Sequence, residues 1–326
     1  MSVDRRGFLA GSVISSLAAA AVSSQSSYVA AGTSPGNVAS KTDGGFRYCL
    51  NTSTIRGQEL GIEKEVDVAA TAGYDGIEPW IPTLRQFVEK GGNLSDLRKR
   101  ISDGGLTVDS AIGFANWIVD DEVKRSAALE EAKRDMDMLR EIGGTRIAAP
   151  PVGAHQADSA TIDLFVAAKR FRALQDIGDQ TGVLPQLEVW GFSRNLSRLG
   201  EVMFVIGESG HPNACLLLDI YHIFKGGSDF TGLNLLSDNA LQVFHVNDYP
   251  ATPDRSEMND SHRVYPGDGI APLSKILNAI GGHGREITLS LELFNRDYWK
   301  LDALEVAKTG LSKMKAAVAT ASSTPA

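Results

Sequence analysis

Polar and apolar positions along this chain settle into two alternating regimes. Amphipathic stretches end on glycine, and a short run of almost continuous apolar residues follows each one. Gly73, Gly105, Gly144, Gly182, Gly210 and Gly284 stand at such junctions. Glycine just past a helix supplies a left-handed residue at little steric cost, so these positions predict helix ends. The runs that follow, such as residues 214–220 and 241–246, are apolar on both faces. Continuous rather than alternating hydrophobicity predicts strands buried in a parallel sheet.

Eight strands are predicted, over 47–51, 76–80, 107–112, 146–150, 184–190, 215–221, 242–247 and 287–294. Amphipathic helices separate them. The clearest spans 122–142, with Ala127, Ala128, Ala132, Met136, Met138 and Leu139 on its apolar side. Eight strands alternating with helices predict an α/β fold, a single (β/α)8 TIM barrel. An open doubly wound sheet is the alternative, but no Gly-x-Gly-x-x-Gly turn opens the first unit.

Both termini fall outside this rhythm. Asp4-Arg5-Arg6-Gly7-Phe8-Leu9 precedes a mild apolar run over 12–22. A charged start, an apolar stretch of that length and small residues beyond it predict an export signal, here of twin-arginine type. The run is too short, and too rich in Ser and Ala, to read as a membrane span. Residues 1–43 are therefore expected to be a signal and disordered linker, 44–316 the barrel, and 317–326 a disordered tail. The expected location is periplasmic, without stable membrane association once the signal is cleaved.

Charge narrows the range of partners. Lys plus Arg total 32 against 40 Asp plus Glu. That acidic balance argues against nucleic acid, because phosphate binding needs concentrated positive charge. Only two cysteines occur, Cys49 and Cys215. They fall in different predicted strands and are expected to be buried and unpaired.

The chemistry-bearing residues lie where the last four strands finish. Glu188, Asp219, His245 and Glu292 each interrupt an otherwise apolar run. An unpaired buried charge there would cost several kcal/mol, so something must compensate it. Strand C-termini share one face of a barrel, the face on which active sites are built. Three carboxylates and an imidazole converging there suit one divalent metal ion: Mn²⁺ or Mg²⁺ first, Co²⁺ or Zn²⁺ next.

With these residues in view, the chain resembles the xylose-isomerase-like TIM-barrel superfamily, in its sugar phosphate isomerase/epimerase branch. The motifs that carry the resemblance are Tyr74-Asp75-Gly76-Ile77-Glu78, Asp219-Ile220-Tyr221-His222, His245-Val246-Asn247-Asp248 and Pro266-Gly267-Asp268-Gly269. The resemblance implies that Glu188, Asp219, His245 and Glu292 bind the metal, preferentially Mn²⁺, and that His222 contacts substrate. It also implies that Glu188 and Glu292 exchange a proton beside a substrate carbonyl. An enediolate formed that way can lead to epimerisation, isomerisation or loss of a β-substituent. The small-molecule partner is then a carbohydrate, and homo-oligomers through the barrel helices are expected.

Departures from the pattern bear on the substrate. Ketose 3-epimerases carry a further Glu where this chain has Arg194, and an Arg shortly after the His ligand where it has Ala251. Arg263 comes later and is expected to clamp the substrate. Asp260 and His262 resemble an Asp-x-His of endonuclease IV, yet Glu78 and residues 111–114 supply none of the other histidines that site needs. A phosphodiesterase and a non-catalytic sugar binder are the weaker readings. Glu78, Trp80, Trp190, His155, Asp260 and His262 are further candidates for substrate contact, and an indole can stack on a sugar face. Trp117 is a similar candidate wall, and Trp299 is expected to be structural. His211 and His283 are expected to be solvated loop residues.

Overall fold

The predicted runs form eight parallel strands in a computed structural model that describes residues 45–281 and 286–323. The strands are β1 (Phe46–Asn51), β2 (Gly76–Glu78), β3 (Thr107–Val108), β4 (Arg146–Ala149), β5 (Leu184–Glu188), β6 (Cys215–Asp219), β7 (Leu241–Val246) and β8 (Ile287–Leu291). Their order is β3-β2-β1-β8-β7-β6-β5-β4. Beyond β3 the chain reaches β4 and closes the ring. The Ala111 N–H donates to the Arg146 carbonyl at 3.2 Å, and the Ala148 N–H donates to the Ala111 carbonyl at 2.8 Å. The architecture is a single TIM barrel. The expected signal and linker over 1–43 lie outside the described residues, as does His283.

Helices wrap the ring, namely α1 (Ile62–Ala72), α2 (Ile81–Glu89), α3 (Leu94–Asp103), α4 (Glu122–Glu141), α5 (Leu164–Thr181), α6 (Leu199–Glu208), α7 (Ile220–Gly226), α8 (Leu273–Ile280) and α9 (Ala303–Ser323). Side chains cap several of them. Asp163 Oδ1 accepts from the Phe165 and Val166 N–H groups at the start of α5. Gly73, at φ 90°, ends α1 in the left-handed region. On α4 the apolar stripe is narrower than expected. Ala128, Ala132, Met136 and Leu139 are buried, Met138 is half-buried and Ala127 is exposed. No helix among the described residues is long and apolar enough to cross a membrane.

Three expectations need correction. The chain end is not a tail from 317, because α9 continues to Ser323 with Val318 and Ala321 buried. Small residues that look low in complexity here let the helix pack closely. His211 is buried rather than solvated, with Nε2 3.1 Å from Asp179 Oδ2. Several strands also stop short of their predicted ends. Asp219 shows why: its Oδ1 accepts the His222 N–H at 2.8 Å and caps α7, so strand turns to helix within one residue. Cys49 and Cys215 are buried and free.

Two polar clusters brace the ring. Under β1–β3, Asp109 accepts from Thr107 Oγ1 at 2.9 Å and lies 3.7 Å from Arg47. Gly76 is required beside it, because a Cβ there would fall 1.7 Å from Asp109 Oδ2. Past β7, the Asp248 carboxylate accepts four backbone N–H groups, from Tyr249, Gly267, Gly269 and Ala271, at 2.8–3.1 Å. Asp248 and Val264 also exchange backbone hydrogen bonds at 2.9 Å in both directions. The long seventh loop is thus drawn closed at its base.

Candidate active site

Four consecutive strands deliver four titratable side chains to one mouth. Glu188 ends β5, Asp219 ends β6, His245 lies next to the end of β7 and Glu292 follows β8. The register pairs Asp219 with His245 across β6 and β7. Donor atoms of Asp219, His245 and Glu292 lie within 4.8 Å of one another, and all three residues are buried. His245 Nδ1 is 3.1 Å from Glu292 Oε2 and 3.8 Å from Asp219 Oδ2. Glu188, 3% exposed, shares a cavity wall with Glu292, and its Oε2 has no hydrogen-bond partner.

A ring of amides and one further carboxylate fixes these groups. His245 Nε2 lies 3.0 Å from Glu78 Oε2, which also accepts from Asn51 Nδ2 at 2.9 Å and Ser290 Oγ at 2.7 Å. With Nε2 turned to Glu78, Nδ1 is the ring nitrogen that faces Asp219 and Glu292. Asn51 Nδ2 also reaches Glu292 Oε1 at 3.1 Å, and Trp80 Nε1 donates to Asn51 Oδ1 at 3.0 Å. Asn247 Nδ2 donates to Asp219 Oδ2 at 2.9 Å, while its Oδ1 accepts the Tyr221 N–H. Glu78, expected to touch substrate, therefore sits behind His245 and orients it. Asn51 and Ser290 went unnoticed in the sequence, and Asn247 was quoted only within a motif, because uncharged residues do not stand out at a strand end.

Arg263 arrives from the seventh loop and is buried to 1% exposure. Its Nη1 donates to Asp219 Oδ2 at 2.9 Å and to Glu292 Oε2 at 2.8 Å. Its Nη2 reaches Asp260 Oδ1 and lies 3.1 Å from His222 Nε2. The guanidinium carbon is 4.7 Å from the Tyr221 ring centre and 5.0 Å from that of Phe294.

The cavity over this cluster measures about 180 Å³ and is walled largely by aromatic side chains. Trp80 and Trp190 line it, as do Phe114, Phe192 and Phe294, with His222, Asp260 and Arg263 on its polar side. Other candidates fall elsewhere. His155 packs edge-on at 5.4 Å against Trp190, outside the wall. His262 turns to the backbone of Asn259, where its Nδ1 accepts the N–H at 3.1 Å. Trp117 is fully buried, its Nε1 donating to the Pro150 carbonyl at 2.8 Å. Trp299 Nε1 donates to the Ser53 carbonyl, a structural bond. Arg194 is exposed and bonds Thr161.

Burial and mutual charge pull the two glutamates apart. Burial first, and the charge of Glu292 next, push Glu188 up to about 8. Burial would raise Glu292 as well, but His245 and Arg263 outweigh it and hold the carboxyl well below the usual range. Burial opposes charging of His245, yet Glu292 and Glu78 hold its imidazole well above the usual range. Burial lowers His222, and the neighbouring Arg263 adds to that, so its ring is neutral and accepts from the guanidinium.

A divalent metal fits this donor set. Asp219, Glu292 and the His245 imidazole form an oxygen-rich set of the kind such ions prefer, while Glu188, the fourth expected ligand, is not within that close group. Two buried atoms, Glu188 Oε2 and His245 Nδ1, lack a hydrogen-bond partner, a role a metal would fill.

Comparison with known proteins places the chain. The chain is 25% identical to an inosose isomerase of Bacillus velezensis over 279 residues, which cover 84% of this chain and 97% of that protein. It is 22% identical to a 3-dehydroshikimate dehydratase of Pseudomonas putida over 254 residues, 78% of this chain and 39% of that protein. Among solved structures it superposes on an IolI protein with a bound zinc atom, with TM-score 0.77, 22% identity, and coverage of 85% of this chain and all of that one. An L-ribulose 3-epimerase gives TM-score 0.68 at 18% identity, covering 85% and 95%. Relatives of this kind are isomerases, epimerases and dehydratases. Residues 66–317 match the family described as Xylose isomerase-like TIM barrel, and the chain belongs to that family.

Proposed function

We propose that this chain is a metal-dependent isomerase or epimerase of a polyhydroxylated ketone. It moves a proton at the carbon beside the carbonyl, through an enediolate. The observation that carries this reading is the meeting of two buried carboxyl side chains, Glu188 and Glu292, in one cavity. One of the two takes the proton, and the other returns one at the opposite face or at the adjacent carbon. Asp219, His245, Glu292 and Glu188 would hold the ion, manganese ahead of magnesium, cobalt or zinc. When bound, a divalent ion supplies Lewis-acid polarisation of the substrate carbonyl.

The remaining wall sorts substrates. Trp80 and Trp190 offer flat faces to a sugar ring, while His222 and Arg263 reach its hydroxyls. A dehydratase is the second reading, favoured by the likeness to 3-dehydroshikimate dehydratase. The same pair of glutamates serves it, one taking the α-proton and the other giving a proton to the departing hydroxyl. The Arg5-Arg6 segment supports export to the periplasm as part of the same proposal, and pairing through the barrel helices is proposed alongside it.

Exchange in D₂O, followed by proton NMR on a panel of cyclic and open-chain keto-sugars, tests the reading. Deuterium uptake at the α-carbon is expected. Isomerised or epimerised product supports the first reading, and an enone product the second. No exchange with any ketone overturns both and leaves a sugar binder. Metal analysis should return about one ion per chain; three would favour a phosphodiesterase.

A further inference from the structure

Arg263 makes contacts that substrate binding does not require. The two oxygens its Nη1 holds, Asp219 Oδ2 and Glu292 Oε2, are the same two that face His245 Nδ1. A cation joining Nδ1 to those oxygens therefore meets a guanidinium already bound to them. Solvent does not screen this competition, because Arg263 and both carboxylates are buried. The arginine is also tethered on its far side. Nη2 bonds Asp260 and His222, and the planar group lies between the Tyr221 and Phe294 rings. It thus has an outer seat from which it need not leave the site.

We propose that Arg263 is a built-in counter-cation of this centre. It holds the two ligand carboxylates together in metal-free protein and competes with a divalent ion for them. The inference rests on the metal reading above. It makes metal uptake an exchange of one buried positive charge for another. The metal-free barrel consequently keeps its ligands in place, and affinity for the ion is set below what the four donors would give alone.

Calorimetric titration with Mn²⁺ alone, on wild-type protein, R263M and R263K, tests this without recourse to turnover. Removing a full positive charge a few ångströms from the ion is expected to tighten binding at least about tenfold in R263M. R263K keeps the charge and should stay close to wild type. Binding by R263M but not by wild type would support the proposal in its extreme form. Equal or weaker binding in R263M overturns it while leaving the metal reading intact. Failure of every variant to bind Mn²⁺ or Zn²⁺ overturns both.

A second measurement serves if R263M does not fold. In wild-type protein carrying ¹⁵N-arginine, the guanidinium resonances of Arg263 should be protected from exchange and should shift when Zn²⁺ saturates the site. Resonances that Zn²⁺ leaves unmoved overturn the competition.

Discussion

The two halves of this barrel divide the labour unevenly. Strands β5 to β8 end at or beside Glu188, Asp219, His245 and Glu292, all titratable and buried, with the last three gathered in one cluster and Glu188 on the cavity wall above it. Strands β1 and β2 end on Asn51 and Glu78, which touch the cluster only through its members. Past β3 and β4 the chain offers Ile112 and Ala149, apolar and buried. One half acts and the other half aims and walls. The same repeating unit serves both purposes, because the barrel needs only the strand interiors and leaves the strand ends free.

Conservative changes on each side break or sharpen that contrast. The largest effect belongs to Glu188→Gln, which should lower turnover by about 10²–10⁴-fold while the circular dichroism spectrum stays native. Ile112→Val, on the opposite wall, should cost about 1 kcal/mol of stability and leave the rate nearly unchanged. Comparable rates for the two variants would erase the division.

Next comes Glu78→Gln, which keeps the shape but weakens the hold on His245 Nε2. Metal affinity should fall by about 10–100-fold, as measured by Zn²⁺ titration. An unchanged affinity would mean that the first half does no aiming.

The smallest effect concerns the brace under β1–β3. Burial foremost raises Asp109 from 3.8 to about 6, against the pull of Arg47. Between those values the unfolded chain gives up its proton first, so stability falls as pH rises through the window. Asp109 keeps some contact with water, and the loss should amount to about 2 kcal/mol or less. Asp109→Asn removes it, and urea midpoints of variant and wild type should diverge from pH 4 to pH 6. Parallel profiles would show that the brace does not titrate.

How much of this was readable beforehand follows the same split. A charge inside an apolar run needs a reason, so Glu188, Asp219, His245 and Glu292 announced themselves. Asn51 stood at an equivalent strand end but costs little if exposed, and nothing in its pattern marked it; Asn247 was visible only as a member of the His245-Val246-Asn247-Asp248 motif. Arg263 was harder to place, because its distance from His245 along the chain says little about a loop that doubles back. Strand ends were overrun wherever capping decided the matter, as at Asp219, since a side-chain hydrogen bond to the next helix leaves no trace in hydrophobic periodicity. The last turns of α9 were lost to composition: alanine and serine read as tail when counted, and as tight packing when placed.

The caged carboxylate of Asp248 has a consequence for how such proteins diversify. With Asp248 bound to Val264 in both directions and to the amides of Gly267, Gly269 and Ala271, the excursion between them starts and finishes at fixed points. Its intervening length adds only slowly to the entropy of closing the chain. The segment can be lengthened or trimmed while Arg263, one residue inside the clasp, stays where it is, provided Asp260, which tethers it, is kept. A new specificity could be grafted onto this barrel without rebuilding the buried cluster at its mouth.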